Sequence, residues 1–322
     1  MPPTCTSSST ASTADPVPRA RHLLVLLGLT ALLSACAGRP VAVPPPEAFP
    51  DVAAKRHLQN VPFYAQDAYQ CGPAALAMVL SQRGRNASPE ALKDRVYIPE
   101  RKGTLQVELV AAGRERDLLV YPLAGKLEDL VAEVDAGNAV LVMQNLAFDW
   151  LPQWHYAVVI GYDLKRREMI VHSGLNEARR EPFEVFLRTW QRADRWALVM
   201  MPPDVLPATA EPLHYLLAAS DLEQTGRLDS AALAYQSALE RWPDQATARF
   251  GLGNVAWAQG RKQAAVEHFR VLTAQFPELE AGWNNLAFTL DATGCQAAAE
   301  AVRACSTQEH KDRGKCAIPE CN

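Results

Sequence analysis

The sequence around Cys71 has the features of a thiol nucleophile. Cys71 is followed by Gly72 and Pro73 and then by an unbroken apolar run, residues 74–80, which predicts a buried helix. A cysteine at a helix N-terminus lies at the positive end of the helix dipole, which favours the thiolate, and Gly72 lets a substrate carbonyl approach closely. The alternative is a buried structural cysteine, since free cysteines are commonly buried.

His155 is the base that such a thiol would need. It stands 84 residues after Cys71, at the start of the β-branched run 156–162, which predicts a strand paired with a return strand over residues 169–172. A cysteine with a histidine in this chain order, and a third group that orients the imidazole, is a papain-like arrangement for nucleophilic attack on a carbonyl carbon.

The two motifs, QCGPAALAMVL and HYAVVIGYD, resemble those of the bacteriocin-processing, double-glycine-leader cysteine peptidases, a papain-like family. The resemblance covers about residues 58–202 and implies Cys71 as nucleophile and His155 as general base. It also implies a glutamine upstream of the nucleophile that helps the cysteine amide form the oxyanion hole. Gln66 is the candidate, one position closer to the cysteine than is usual, and Gln70 is the alternative; either could instead be solvated.

The third catalytic group is where this sequence departs from the family. The family places Asp-Pro after the return strand, and pairing the hairpin outward from its turn puts Ser173-Gly174 at that position. Ser173 is therefore the predicted orienting residue, with His172 and Asn176 as alternatives. Because a hydroxyl stabilises an imidazolium less than a carboxylate does, we expect modest activity.

An aromatic segment leads into His155. Phe148, Trp150 and Trp154 could form the wall of a substrate cleft beside the histidine. They could equally cap the core next to the hairpin, since aromatic side chains dominate protein cores.

The elements that would position these groups form an α+β, papain-like domain over residues 57–204. Ser88-Pro89-Glu90 predicts a helix start, Thr104 is predicted to cap a helix that ends near Arg116, and buried strands are predicted over 118–121, 139–146 and 196–201.

A different architecture, all-α, is predicted over residues 212–306, after a proline-containing linker. Several residue types recur there every 34 residues: Gly226, Gly260 and Gly294; Ala231, Ala265 and Ala299; Tyr235 and Phe269; Pro243 and Pro277. This period resembles tetratricopeptide repeats, helix pairs that bury their apolar faces against neighbouring pairs. Two full repeats and a third helix pair fit the length.

The N-terminus predicts export and anchoring. Basic residues precede the 11-residue apolar segment 23–33, which fits a signal peptide and is too short for a permanent span. Leu33-Ser34-Ala35-Cys36 resembles a bacterial lipoprotein processing site, which implies a signal peptide over 1–35, acylation of Cys36 and a proline-rich spacer over 36–56. The alternative is an ordinary cleaved secretory signal. The residues after Cys36 resemble those of lipoproteins sent to the outer membrane, so the expected location is the cell envelope, lipid-anchored, facing the periplasm.

Four cysteines lie near the C-terminus, Cys295, Cys305, Cys316 and Cys321, the last two in a tail over 307–322. In an exported chain they predict two disulfides, with a zinc site as the alternative. Residues 295 and 305 bracket a predicted helix, in which ten residues span roughly 15 Å, too far for a disulfide. The expected pairs are therefore Cys305–Cys316 and Cys295–Cys321, with the crossed pairing as the alternative.

Composition and charge narrow the range of expected partners and substrates. The chain of 322 residues has a net charge of −4 and no basic stripe, so nucleic acid is not an expected partner. No cofactor and no catalytic metal are predicted. The expected function is hydrolysis of a peptide bond through a Cys-His thioester mechanism, with a peptide or protein substrate, a protein partner in the repeat groove and the membrane as an anchor. The alternatives are a non-catalytic binding scaffold and a thioester acyltransferase or amidase.

Overall fold

The computed structural model describes residues 41–49, 51–65, 70–85, 87–308 and 317–320. From residue 43 onward these belong to one compact unit, Val43–Asn322. Cys36, Gln66, Cys316 and Cys321 lie outside the described residues, so the predictions about them stay predictions. Within the described ranges no helix combines the length and the apolar character that a membrane span requires.

The first part of this unit mixes helices and strands in alternation. Its described elements, apart from short 3₁₀ turns, are β1 (Lys55–His57), α1 (Cys71–Gln82), α2 (Pro89–Val96), α3 (Gln106–Arg114), β2 (Leu119–Pro122), α4 (Leu127–Asp135), β3 (Val140–Asn145), β4 (Trp154–Asp163), β5 (Glu168–Ser173), β6 (Asn176–Pro182), α5 (Phe183–Gln191) and β7 (Ala197–Met201). The predicted α+β domain is confirmed.

The strands form one antiparallel sheet centred on β4. The order of the described strands is β2-β7-β3-β4-β5-β6, and β4 carries β5 along one edge. Along its other edge β4 pairs first with β3, from Trp154↔Asn145 to Val159↔Val140, and then with β1, from Gly161↔His57 to Asp163↔Lys55. The segment that contains His155 lies at the start of β4, where β3 is its described strand neighbour, because the pairing with β5 begins only at Val158.

Helix α1 is the most deeply buried helix of this part. Every residue from Gly72 to Leu80 is buried, because the run offers only small and apolar side chains, and α1 packs against α2 and β4. Fully burying each large apolar side chain stabilises the fold by about 1.5–3 kcal/mol. The sequence pattern therefore fixes the helix that carries Cys71 against the strand that carries His155.

Two strands were not predicted. β1 has the sequence KRH, and β6 has NEARREP, in which only Glu181 is buried. β1 is short, β6 is an edge strand, and both carry charged side chains, which suit the exposed edge of a sheet. Neither strand therefore has the apolar alternation by which a strand is recognised in a sequence. The prediction that Thr104 caps α3 was wrong: Leu105 precedes the helix, and Thr104 packs elsewhere.

The second part consists of helix pairs. Its described helices are α6 (Pro212–Gln224), α7 (Leu228–Arg241), α8 (Ala246–Ala258), α9 (Lys262–Gln275), α10 (Glu280–Ala292) and α11 (Gln296–Ser306). The recurring glycines at 226, 260 and 294 have φ between 73° and 83° and connect the two helices of each pair, in the left-handed region that favours glycine. The recurring alanines and aromatics are buried between helices. The tetratricopeptide prediction is confirmed.

The C-terminal cysteines stand at opposite ends of α11. Cys295 precedes the helix, Cys305 lies in its last turn, and both are disulfide-bonded. Beyond the gap in the described residues, Ile318 packs against the apolar cluster that contains both cysteines, and Arg270 donates to the Pro319 carbonyl at 3.0 Å. This return of residues 317–320 fits a tail that covers the last repeat, while the pairing with Cys316 and Cys321 stays a prediction.

Candidate active site

Cys71 is the first residue of α1, so its backbone N–H is one of the groups that the helix leaves unpaired. The sulfur lies against β4, where the backbone N–H of Tyr156, the residue after His155, donates to Sγ. The structure therefore brings the predicted nucleophile to the strand that carries the predicted base.

The charge state of Cys71 differs from the sequence-based expectation. Burial raises the pKa of the thiol above its usual value, and the neighbouring backbone N–H groups, that of Tyr156 foremost, offset only part of that rise. Desolvation penalises a thiolate more than the helix terminus and the amides stabilise it. The free protein consequently holds Cys71 as a neutral thiol.

Gly72 makes a close contact that the sequence did not predict. A Cβ at this position would overlap the side chain of Thr104, with Cγ2 only 2.9 Å away. Glycine is required here because Thr104 occupies the space, while the predicted close approach of a substrate carbonyl stays a prediction.

His155 is the second residue of β4, and its ring contacts Ser173 at the end of β5. The distance from Nε2 to Ser173 Oγ is 2.9 Å. This is the pair that the family pattern implies, and it leaves Nδ1 as the ring nitrogen that is able to accept the thiol proton. Among the described residues no hydrogen bond joins Cys71 to the imidazole, a feature common in free enzymes, where catalytic contacts tighten only on substrate binding.

The alternatives to Ser173 have other contacts. His172 Nδ1 accepts from the Ala178 amide at 3.2 Å, and its Nε2 lies 3.3 Å from the Val61 carbonyl, so both nitrogens are used. Asn176 is exposed at the start of β6, and no described contact links it to the imidazole. The geometry favours Ser173, and the catalytic roles themselves remain predictions.

The environment of His155 opposes protonation. Burial, and secondarily the positive charge of Arg179, lowers the pKa of His155 to about 4. A raised pKa of the thiol and a lowered pKa of the imidazole together favour a neutral pair in the free protein. A substrate would then be attacked as the proton moves from sulfur to nitrogen.

Two predictions about the oxyanion hole have different outcomes. Gln66 lies outside the described residues. Gln70 directly precedes α1, is half-buried, and its side chain makes no capping hydrogen bond to the helix. The assignment of either glutamine to the oxyanion hole therefore stays a prediction.

The aromatic residues before His155 do not cap the core. Phe148, Trp150 and Trp154 are exposed, Trp150 by 79%, and the rings of Phe148 and Trp150 stack at 5.6 Å. With exposed Leu151, and with Leu175 in the turn after Ser173, we call them the apolar rim. The loop 146–153 is held in place by buried Asn145, whose Oδ1 accepts the Ala147 and Gln153 amides at 3.1 and 2.9 Å.

Sequence reasoning missed Tyr156 and Arg179 and misassigned Thr104. Tyr156 acts through its backbone amide and its hydroxyl, and it looks like any other aromatic residue of a strand. Arg179 lies on an edge strand that was not predicted. The effect of Tyr156 on Cys71 and that of Arg179 on His155 both depend on the register of the sheet, which a single sequence does not reveal.

Residues 58–198 match the Peptidase C39 like family, and residues 216–280 match a tetratricopeptide repeat family. The chain contains a C39-like peptidase domain followed by tetratricopeptide repeats. No curated protein matches the chain. Within the C39-like domain the site described above lies on α1, β4 and β5.

Several solved structures resemble the chain, three of them peptidases or peptidase domains. A putative C39-like peptidase from Bacillus anthracis is 20% identical, with a TM-score of 0.39, over 46% of this chain and 97% of that one. A double glycine motif protease from an AMS/PCAT transporter, in complex with the leader peptide, is 19% identical, with a TM-score of 0.33, over 45% and 96%. The peptidase domain of Streptococcus ComA, a bifunctional ABC transporter, is 20% identical, with a TM-score of 0.34, over 47% and 99%. The assignment rests on the family match.

Proposed function

We propose that the C39-like domain is an active thiol peptidase with Cys71 as nucleophile and His155 as general base. The observation that carries this proposal is the 2.9 Å contact between His155 Nε2 and Ser173 Oγ, on a strand whose next amide donates to Cys71 Sγ. One imidazole nitrogen is held by an orienting group while the thiol lies against the same strand. A buried structural cysteine has no need of such a partner set.

The reaction follows from these positions. His155 Nδ1 takes the thiol proton as Sγ attacks the carbonyl carbon, and the carbonyl electrons form an oxyanion that the Cys71 N–H stabilises. The tetrahedral intermediate collapses, the C–N bond breaks, and the imidazolium returns the proton to the leaving amine. Water, deprotonated by the same imidazole, then hydrolyses the thioester and regenerates the thiol.

The apolar rim supports a peptide substrate with large apolar side chains near the cleaved bond. Trp154 directly precedes His155 in the sequence, Leu175 follows Ser173 by two residues, and both are exposed. Exposed apolar patches of this kind mark binding sites more often than they occur by chance.

A peptide-library digest tests the proposed reaction. Purified full-length protein is incubated with mixed peptides in H₂¹⁸O, and the products are sequenced by mass spectrometry, with Cys71→Ala as the control. We expect cuts beside large apolar residues, absent in the control, with ¹⁸O in the new carboxyl group. Products joined to an added amine instead of to water would indicate the acyltransferase alternative, and no Cys71-dependent product would contradict the proposal.

One rival function has a specific observation in its favour. Ser173 replaces the family's carboxylate, and both the raised pKa of Cys71 and the lowered pKa of His155 oppose an ion pair. A peptidase-like scaffold that binds peptides without cleaving them would have these properties. The digest distinguishes the two, because a scaffold retains peptides and releases them unchanged.

We assign the tetratricopeptide part to partner or substrate binding. Of the first helices of the pairs, α6 presents exposed Leu213 and Leu217, and α10 presents exposed Phe288. Asn285 donates to Asn254 at 3.2 Å, and both amides keep further donors and acceptors for a peptide backbone. An apolar surface with amide groups suits a partner segment without strong charge.

We further infer that the chain is a lipoprotein acylated at Cys36 and located at the periplasmic side of the outer membrane. The support is the apolar segment that ends in Leu-Ser-Ala-Cys. Metabolic labelling with a palmitate analogue tests this: the wild type should incorporate it, and Cys36→Ser should not and should stay unprocessed. A soluble form cleaved elsewhere, without lipid, would contradict the assignment.

A further inference from the structure

Tyr156 links three elements at the nucleophile. Its backbone N–H donates to Cys71 Sγ, while its hydroxyl donates to the Thr104 carbonyl at 3.2 Å. The ring is buried and packs edge-on against Trp196, with centroids 5.8 Å apart. Burial raises the pKa of Tyr156, so the hydroxyl keeps its proton and remains a donor.

Thr104 completes the link from the other side. Its side chain fills the space above Gly72, where the position of a Cβ would be 2.5 Å from Thr104 Cβ. Its Oγ1 is buried and has no hydrogen-bond partner among the described residues. A valine would fill the same volume without burying an unpaired hydroxyl, so the close contact is not explained by stability alone.

We propose that Gly72, Thr104 and Tyr156 form a clamp that positions Cys71 against the strand of His155. Thr104 presses on the first turn of α1 through Gly72, and Tyr156 holds Thr104 while its own amide meets the sulfur. The clamp residues are positioning residues, since none of them reacts. The clamp holds the thiol in the geometry that the proposed peptidase requires, and its direct effect is on the reactivity of Cys71.

The clamp holds the sulfur of Cys71 and the backbone N–H of Tyr156 in fixed positions relative to each other. The Tyr156 N–H, which lowers the pKa of Cys71, stabilises the thiolate that must form, and a displacement of about 1 Å in a reacting group costs on the order of 100-fold in rate. Loosening the clamp should therefore lower the thiolate fraction at a given pH without unfolding the domain.

Tyr156→Phe tests the hydroxyl, with Tyr162→Phe as its matched control. Tyr162 lies on the same strand and is fully buried, and its hydroxyl oxygen is 2.7 Å from Asp135 Oδ1 and 2.9 Å from the Ala53 carbonyl oxygen, away from Cys71. Iodoacetamide alkylation is measured against pH in the full-length protein, with the label at Cys71 read on the tryptic peptide 57–83. We expect Tyr156→Phe to slow alkylation at pH 7 by about tenfold and to shift the profile to higher pH. Tyr162→Phe should stay within about twofold of the wild type.

A size-compensation series tests the steric part. Gly72→Ala should slow alkylation by a similar factor, because its Cβ overlaps Thr104. Adding Thr104→Gly should restore the rate. Adding Thr104→Ala should not, because alanine keeps the Cβ of residue 104, which would lie 2.5 Å from the new Cβ of residue 72. Urea midpoints of all variants separate reactivity from folding.

Two outcomes would overturn the clamp. One is an equal effect of Tyr156→Phe and Tyr162→Phe on the pH profile, and the other is a Gly72→Ala variant that is alkylated at the wild-type rate. Alkylation requires no substrate, so the clamp is tested independently of the peptidase proposal. A reactive Cys71 that cleaves no peptide would contradict only the latter.

Discussion

At the scale of single residues, Ser173 is an ambiguous partner for His155. A hydroxyl both donates and accepts, so the 2.9 Å contact permits either imidazole tautomer. Only the tautomer with hydrogen on Nε2 leaves Nδ1 free to take the thiol proton. A carboxylate accepts only and would select that tautomer, which is the feature that the family pattern has and this chain lacks.

Ser173→Asp should therefore raise kcat/KM for peptide hydrolysis, on the order of tenfold, because the carboxylate fixes the tautomer and stabilises the imidazolium. The control is Asn176→Asp, which adds the same charge opposite Ser173 in the β5–β6 pair without any described contact to the imidazole. Initial rates on a single cleaved peptide provide the measurement. Equal gains in both variants would show a general charge effect and not a positioned orienter.

The lowered pKa of His155 also predicts acid sensitivity. An unfolded histidine binds a proton near pH 6.5, whereas the folded one does so near pH 4. Its contribution is therefore fully present above pH 6.5 and is lost as the pH falls towards 4, by about 3 kcal/mol at pH 4. Urea unfolding of wild type and His155→Gln at pH 7 and pH 4 measures this: the wild type should lose about that much more free energy of unfolding. Parallel losses would contradict the burial of the imidazole.

At the scale of elements, the pattern of apolar residues predicted most of what positions the site. The buried run of α1 and the β-branched run of β4 were readable because packing on both sides demands apolar side chains. β6 was not readable, since an edge strand is selected for charge, and the contact between Gly72 and Thr104 was not readable because Thr104 belongs to a loop distant in sequence. Ser173 was located by pairing the hairpin, but its contact with His155 depends on the sheet register.

Two glycines inside repeat helices, Gly253 in α8 and Gly282 in α10, show how tightly these helices pack. A Cβ at Gly253 would lie 2.5 Å from Phe269 Cε1, whereas the nearest atom to a Cβ at Gly282 would be the end of the Leu272 side chain, Cδ2, at 3.0 Å. Gly253→Ala should therefore lower the free energy of unfolding by about 1–3 kcal/mol. Gly282→Ala should be near neutral, because the helix gains propensity as the leucine adjusts. Urea denaturation of both variants makes the comparison, and equal effects would contradict the packing of α8 on α9.

At the scale of the whole molecule, a buried hydrogen-bonded chain joins the nucleophile helix to the linker before the repeats. Glu133 Oε1 accepts the Thr209 amide and hydroxyl at 2.8 and 2.6 Å, and its Oε2 accepts from Asn138 at 2.6 Å. Arg83, just after α1, donates to Asn138 Oδ1 at 2.7 Å. An ion pair between Arg114 and Asp221 adds a second link. The peptidase and repeat parts are thus fastened to each other.

Glu133→Gln should weaken this junction by about 2 kcal/mol. Arg83 holds the Asn138 oxygen, so the Asn138 amide N–H still points at residue 133, and a glutamine that accepts from Thr209 turns its own N–H₂ towards it. Glu128→Gln, the same change on α4 without a described hydrogen bond, is the control. Free energies of unfolding, with limited proteolysis at residues 202–211, provide the measurement. Equal free energies of unfolding for Glu133→Gln and Glu128→Gln would show that the hydrogen bonds of Glu133 do not stabilise the junction.

The central claim, that Cys71 reacts through His155, is tested most directly by trapping the acyl-enzyme. The full-length protein is mixed with an activated ester of an apolar peptide, quenched in acid, and the modified cysteine is located by mass spectrometry. We expect the acyl group on Cys71, formed at least 100-fold more slowly in His155→Ala and lost on return to neutral pH in the wild type. An acyl group on another cysteine, or equal rates in wild type and His155→Ala, would contradict the account.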